Sequence, residues 1–151
     1  MSLQARQIIG QWSLVSWEIR YPDGKIAQPF GETPRGQLLY TEDGGMSGTI
    51  CRAERPVLRP DNIRASANDR LEAAQSYFHY AGRWHIEGNN VIHRVEFSLN
   101  PNMVSTTQIR HAEFDGEDLI LSASEVNPAG ASRHHRLIWE HPKILTEPVK
   151  P

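Results

Sequence analysis

Histidine is the residue type here most able to move a proton near neutral pH, and the chain of 151 residues holds seven. Imidazole donates and accepts within that pH range, so a histidine in an apolar strand can either orient a ligand or transfer a proton. His93 and His111 lie in such stretches, Val91 to Leu99 and Ser105 to Phe114. In the first, Val91, His93, Val95, Phe97 and Leu99 form the more apolar alternate set and are predicted to point inward, with Arg94, Glu96 and Ser98 outward. A two-residue Gly88-Asn89 loop pairs Trp84 with His93, and a turn centred near Asn102 pairs His93 with His111 and Val95 with Ile109. Trp84, His93 and His111 would then stand in a row. Glu113 shares the face of His111 and becomes the proton-transfer candidate, while Arg110 is expected outside. A one-residue slip would dismantle the row.

Three chemistries are compatible with that pattern. His93 and His111 could be the polar groups of a pocket whose other walls include Tyr40, Trp84, Phe97 and Trp139, with Trp17 a further aromatic candidate. They could act with Glu113 as general acid and base. Or each could be satisfied by a backbone, Tyr or Glu neighbour and simply fill the interior. His85, His93, His111, His134 and His135 are numerous enough for a metal, but no His-x-His or His-x-x-x-His spacing puts two ligands on one face, so no metal site is predicted. Nucleophile elbow, Gly-rich phosphate loop and dinucleotide fingerprint are all missing, so hydrolase and nucleotide-dependent readings have no sequence support, and no cofactor is expected.

The size and the 38% hydrophobic content suit a single domain over residues 1–151. A net charge of -2 gives no positive field for nucleic acid or an acidic membrane surface. No leader pattern opens the chain and no apolar run approaches the ~20 residues of a membrane helix, so a cytoplasmic protein is expected. The lone Cys51 reads as a small buried hydrophobe.

These side chains need strands to present them. After a lead-in over residues 1–9, Gly10 to Tyr21 is a long β-rich run ended by Asp23-Gly24, a hairpin signal. Arg35 to Thr41 and Met46 to Arg52 make a second hairpin around Glu42-Asp43-Gly44-Gly45. The Arg-rich stretch carrying Arg52, Arg55, Arg59 and Arg64, with Pro56 and Pro60, reads as a solvated loop. Ser66 with Asp69 signals a helix start, and Leu71, Ala74, Phe78 and Ala81 continue at helical spacing, predicting a helix over about 66–81 that covers one barrel end. Arg83 to Leu99, Ser105 to Phe114, Leu119 to Ser124 and His134 to His141 form a meander, and the Pro-containing tail 142–151 is expected as a strap.

The motifs Gly10-x-Trp12-x-Leu14-Val15-Ser16, Pro29-Phe30-Gly31, Gly36-x-Leu38-x-Tyr40-Thr41-x-Asp43-Gly44, Tyr80-x-Gly82-x-Trp84, His93-x-Val95-Glu96-x-Ser98 and Arg136-Leu137-x-Trp139, in this order, resemble the bacterial and fungal lipocalin-like domain family of the calycin superfamily. The resemblance spans nearly the whole chain. It implies an all-β fold: a closed antiparallel barrel of about 8–10 strands with an interior pocket, here with one inserted helix, and no single assigned chemistry. It also implies closure by Gly10, Trp12 and Arg136, the tryptophan packing beneath the barrel floor against the arginine. The expected function is an intracellular protein holding a small apolar or aromatic metabolite in its cavity. The alternatives are a cofactor-free isomerase or cyclase working on a polyketide- or terpenoid-like substrate through histidine acid/base chemistry, and a filled-core interaction module. A homodimer is compatible with each.

Overall fold

Strand β1 (Gly10–Arg20) is long enough to serve two neighbours on its two edges. In the computed structural model, which describes residues 2–58 and 66–143, its start pairs with β3 (Arg35–Tyr40) from Gly10 to Ser13, and Ser13 to Arg20 pairs with β9 (Ser132–Glu140) on the other edge. Between these lie β4 (Gly45–Cys51), β5 (Tyr77–Glu87), β6 (Asn90–Ser98), β7 (Thr107–Asp115) and β8 (Asp118–Val126), each antiparallel to the next. The β1–β9 ladder therefore closes eight strands into a barrel and leaves no long free edge. The two-residue β2 (Ile26–Ala27) adds a ninth strand beside Ile19 and Arg20.

The core is asymmetric along the barrel. One end is solid, filled by Ile8, Trp12, Tyr40, Met46, Trp84, Val91 and Leu119. Trp12 is buried there, and its indole N–H donates to the Ile8 carbonyl at 2.8 Å, tying the lead-in segment under the barrel. Its stacking partner is His141, with ring centroids 4.2 Å apart, which corrects the expectation of Arg136. Leu14 pairs with Trp139, so Trp12 comes level with His141, whereas Arg136 pairs with Glu18 further along and points to the face opposite Leu137 and His135. Gly10, at φ +123°, begins β1 in a conformation that side chains rarely adopt.

Two bulges change which residues face inward. In β1 the pairing shifts between Leu14 and Ser16, so Val15 is extra and exposed, and Trp12 and Leu14 share the inside with Trp17 and Ile19 despite the odd spacing. In β6 Gly82 pairs with Val95 and Ala81 with Phe97, leaving Glu96 as the extra residue. Beyond it Phe97 is 66% exposed and Leu99 is also outside, correcting their predicted inward orientation. Gly82 permits this bulge: a Cβ there would stand 1.9 Å from the Arg94 carbonyl oxygen and 2.9 Å from the Glu96 nitrogen.

The helix α1 (Ala67–Gln75) starts as predicted, Ser66 accepting from the Asp69 N–H at 3.1 Å, but it stops before Ser76 and buries no residue. Tyr77 to Ala81 instead enter the β4–β5 ladder, Phe78 against Ile50 and Tyr80 against Gly48. Their apolar spacing fits both periods, and pairing with β4 lets them bury against the barrel, which a helix extension would not. Arg55 secures the helix end by donating to the Ala73 carbonyl and Ser76 Oγ, both at 3.0 Å. Arg52 donates to the Pro29 carbonyl and lies over the Phe30 ring. Pro60, Arg59, Arg64 and the tail from residue 144 lie outside the described residues.

Gly82→Ala is expected to lower unfolding stability by about 2–3 kcal/mol through this backbone clash. Gly116→Ala, at φ +61° in open space, should cost about 1–2 kcal/mol through backbone strain alone. Urea denaturation of the two variants measures the order, and a smaller loss for Gly82→Ala would contradict the bulge as described.

Candidate functional site

Above the packed end the barrel is hollow. A cavity of about 240 Å³ is walled by apolar side chains, among them Leu38, Ile50, Phe78, Leu121, Leu137 and Trp139. Its polar lining is sparse: Tyr80, His93, Arg110, Glu125 and His135.

His93 sits at the floor, 2% exposed and held between two phenols. Tyr40 Oη lies 2.7 Å from its Nε2 and Tyr80 Oη 2.5 Å from its Nδ1. A neutral imidazole carries one N–H, so one phenol must donate to it and the other accept. Tyr40 is fully buried and has no other hydrogen-bond partner among the described residues, so donation by its O–H to Nε2 avoids an orphaned buried hydrogen. Nδ1–H then donates to Tyr80 Oη. This leaves the Tyr80 O–H free beside the cavity.

Electrostatics keep that chain neutral. Burial, reinforced by the nearby positive charge of Arg110, lowers the His93 pKa to about 3. Burial raises both phenols, Tyr40 further through its coupling to Tyr80, while Arg110 pulls each part of the way back. An imidazole whose conjugate acid forms only near pH 3 is a weak base at neutrality, so His93 acts as a fixed hydrogen-bonding group.

A second polar group sits on β9. Trp17 Nε1–H donates to His135 Nδ1 at 3.1 Å, which puts the imidazole proton on Nε2. That atom is 3.2 Å from Glu125 Oε2, within ion-pair reach but without an aligned hydrogen bond. Burial lowers the His135 pKa, and Glu125 opposes the shift. For Glu125 burial acts upward, but the hydrogen bond from Arg133, at 2.7 Å, and the nearby His135 N–H hold it below the usual carboxylate value.

The predicted site residues separate into three groups. His93 and Trp139 border the cavity. Tyr40 and Trp84 lie one layer behind it, their rings 5.0 Å apart, with the Trp84 indole N–H donating to the Thr41 carbonyl at 2.9 Å. Phe97, His111 and Glu113 are on the outside. Trp84 does pair with His93, as the two-residue Gly88-Asn89 loop requires, but His93 pairs with Gln108 and His111 with Asn90. The connection from β6 to β7 is no tight turn: it contains a 3-10 turn at Pro101–Met103 and Ser105 at φ 67°. The resulting three-residue shift is odd, so it turns the whole of β7 over, placing Arg110 inside and His111 and Glu113 outside.

Arg110 was thus expected on the wrong face, and Tyr80 on a helix. His135 and Glu125 were not singled out as site residues, although His135, Leu137 and Trp139 repeat at the strand period and could have been grouped as one inner face. Among the described residues no three His, Cys, Asp or Glu side chains cluster as metal ligands.

The unfolded His93 titrates near ~6.5 and the folded one near 3, so between these values the unfolded chain binds more protons. Its contribution to stability is complete above pH ~6.5 and is lost as the pH falls toward 3. Between pH 7 and 4.5 the wild type should lose about 2 kcal/mol more unfolding free energy than His93→Gln, which takes up no proton. Equal losses in urea titrations of the two proteins would show that His93 is not held neutral.

No curated protein shows significant similarity to the chain. A crystal structure of a lipocalin-like protein from Bacteroides uniformis aligns over 89% of this chain and 97% of its own, at 13% identity and a TM-score of 0.43. The profile of the lipocalin-like domain family matches residues 9–141, which takes in every barrel strand. The chain is therefore a member of the lipocalin-like domain family.

Proposed function

We propose that this protein binds a small apolar or aromatic molecule inside its barrel. The supporting observation is the 240 Å³ cavity, walled mainly by aliphatic and aromatic side chains and carrying few polar groups. That volume is just below the ~300 Å³ at which pockets for drug-sized ligands begin, so a compact occupant is favoured. Membership in a barrel family whose fold encloses such spaces agrees with this reading. A filled-core module fits poorly with a hollow of this size, and an acid/base enzyme fits poorly with a His93 that stays neutral to about pH 3. Among the described residues no helix is long and apolar enough to cross a membrane, and the free Cys51 suits the reducing cytosol that we propose as its compartment.

Ala123 lines the cavity and is only partly buried, which makes it the place to fill the space without crowding the packed end. Ala123→Phe is expected to abolish ligand binding while keeping the wild-type circular dichroism. Native mass spectrometry of freshly purified protein, followed by thermal-shift titration with small aromatic and aliphatic compounds, should find an occupant for the wild type; at 100 times its Kd that ligand stabilises by about 2.7 kcal/mol. Failure of every compound to shift the wild type, or equal shifts in Ala123→Phe, would overturn the cavity as the binding site.

A further inference from the structure

Donors dominate the polar lining of the cavity. Trp139 is 3% exposed and borders the cavity, and among the described residues its indole N–H has no hydrogen-bond partner. An indole nitrogen can only donate, so Trp139 belongs to the donor side of the lining, but its nitrogen is itself closed off from the open space. Tyr80 presents a second donor, because Tyr40 donates to His93 and His93 in turn donates to Tyr80, freeing the Tyr80 hydrogen. Arg110 brings a third set. Its guanidinium borders the cavity, donates to the neighbouring Ile109 carbonyl and to the Tyr80 hydroxyl oxygen, and among the described residues no carboxylate lies within 4.0 Å of it.

The lining contains one carboxylate, Glu125. It is half exposed, and it is already engaged by Arg133 at 2.7 Å and approached by His135 at 3.2 Å. Its negative charge thus sits toward the solvent side, and the Arg110 guanidinium has no carboxylate partner among the described residues.

We propose that the cavity is built for an apolar carboxylate, whose hydrocarbon or aromatic body lies against Leu38, Leu121 and Leu137 and whose carboxylate oxygens accept from Arg110 and Tyr80. The inference rests on the cavity being a ligand site and specifies the charge and polarity of the occupant. Charge-assisted hydrogen bonds in a water-poor site are strong and directional, so they discriminate against a neutral analogue of the same shape. A cationic analogue meets donors with donors and brings like charge to Arg110.

The test uses the full-length protein and isothermal titration at pH 7 with two matched series. Octanoate is compared with octan-1-ol and octylammonium, and 2-naphthoate with 2-naphthylmethanol. The expected result is that an acid binds about tenfold or more tightly than its alcohol, with the ammonium weakest. In Arg110→Met the acid-to-alcohol affinity ratio should collapse toward one, and in Tyr80→Phe it should fall severalfold. The wild-type comparison stands even if neither variant folds. Alcohols binding as tightly as the acids, or the ammonium binding best, would overturn the carboxylate inference and leave the binding reading in place. Absence of binding by both series would overturn the binding reading and this inference with it.

Discussion

The interior exists because β1 is shared between two ladders. An eight-stranded sheet left open would expose the free backbone groups of its two edges and would fold its apolar face onto itself or a partner. Here Ser13 to Arg20 hydrogen-bonds with β9 while Gly10 to Ser13 bonds with β3, so both edges are consumed in one seam. Closure fixes the circumference, and the side chains then decide how much of the enclosed space is filled. Trp12, Tyr40, Met46 and Trp84 fill one end, whereas Gly48 and Ala123 leave space near the other.

Bulges do the fine positioning. Without the extra Val15, Trp12 and Trp17 would lie on opposite faces of β1, and Trp17 could not hold His135. The bulge at Glu96 turns Phe97 out and so spares the cavity a large ring. Each bulge gives up regular pairing at one residue and gains control over what points inward, a trade that recurs beside binding sites in sheets.

Polarity within the barrel is strongly one-sided. The Tyr40–His93–Tyr80 chain has one well-satisfied direction, set by the buried Tyr40 hydroxyl, and it leaves the Tyr80 hydrogen free beside the hollow. Trp17 imposes the tautomer of His135 in the same manner. In both cases a tryptophan or tyrosine beside the histidine determines what the neighbouring group can offer a ligand. The buried histidine here gains its importance from its fixed tautomer, since its protonation is suppressed by burial and by Arg110.

The amino-acid sequence by itself determined the strands, the hairpin joining Trp84 to His93, the start of the helix at Ser66 and the lipocalin-like family, because alternation, Gly-containing turns and capping residues act over a few neighbours. It also marked His93 and Trp139 as inward residues. The register of β7 was decided by packing, since the long connection from Leu99 to Thr106 imposes no offset, and an odd shift exchanged Arg110 for His111 on the inner face. Tertiary structure alone also chose His141 over Arg136 beneath Trp12, moved Tyr80 from helix to strand, and left the Trp139 indole without a partner among the described residues. Those outcomes depend on closing the barrel, which brings together residues more than a hundred positions apart, such as Leu14 and Trp139, and no local pattern encodes their alignment.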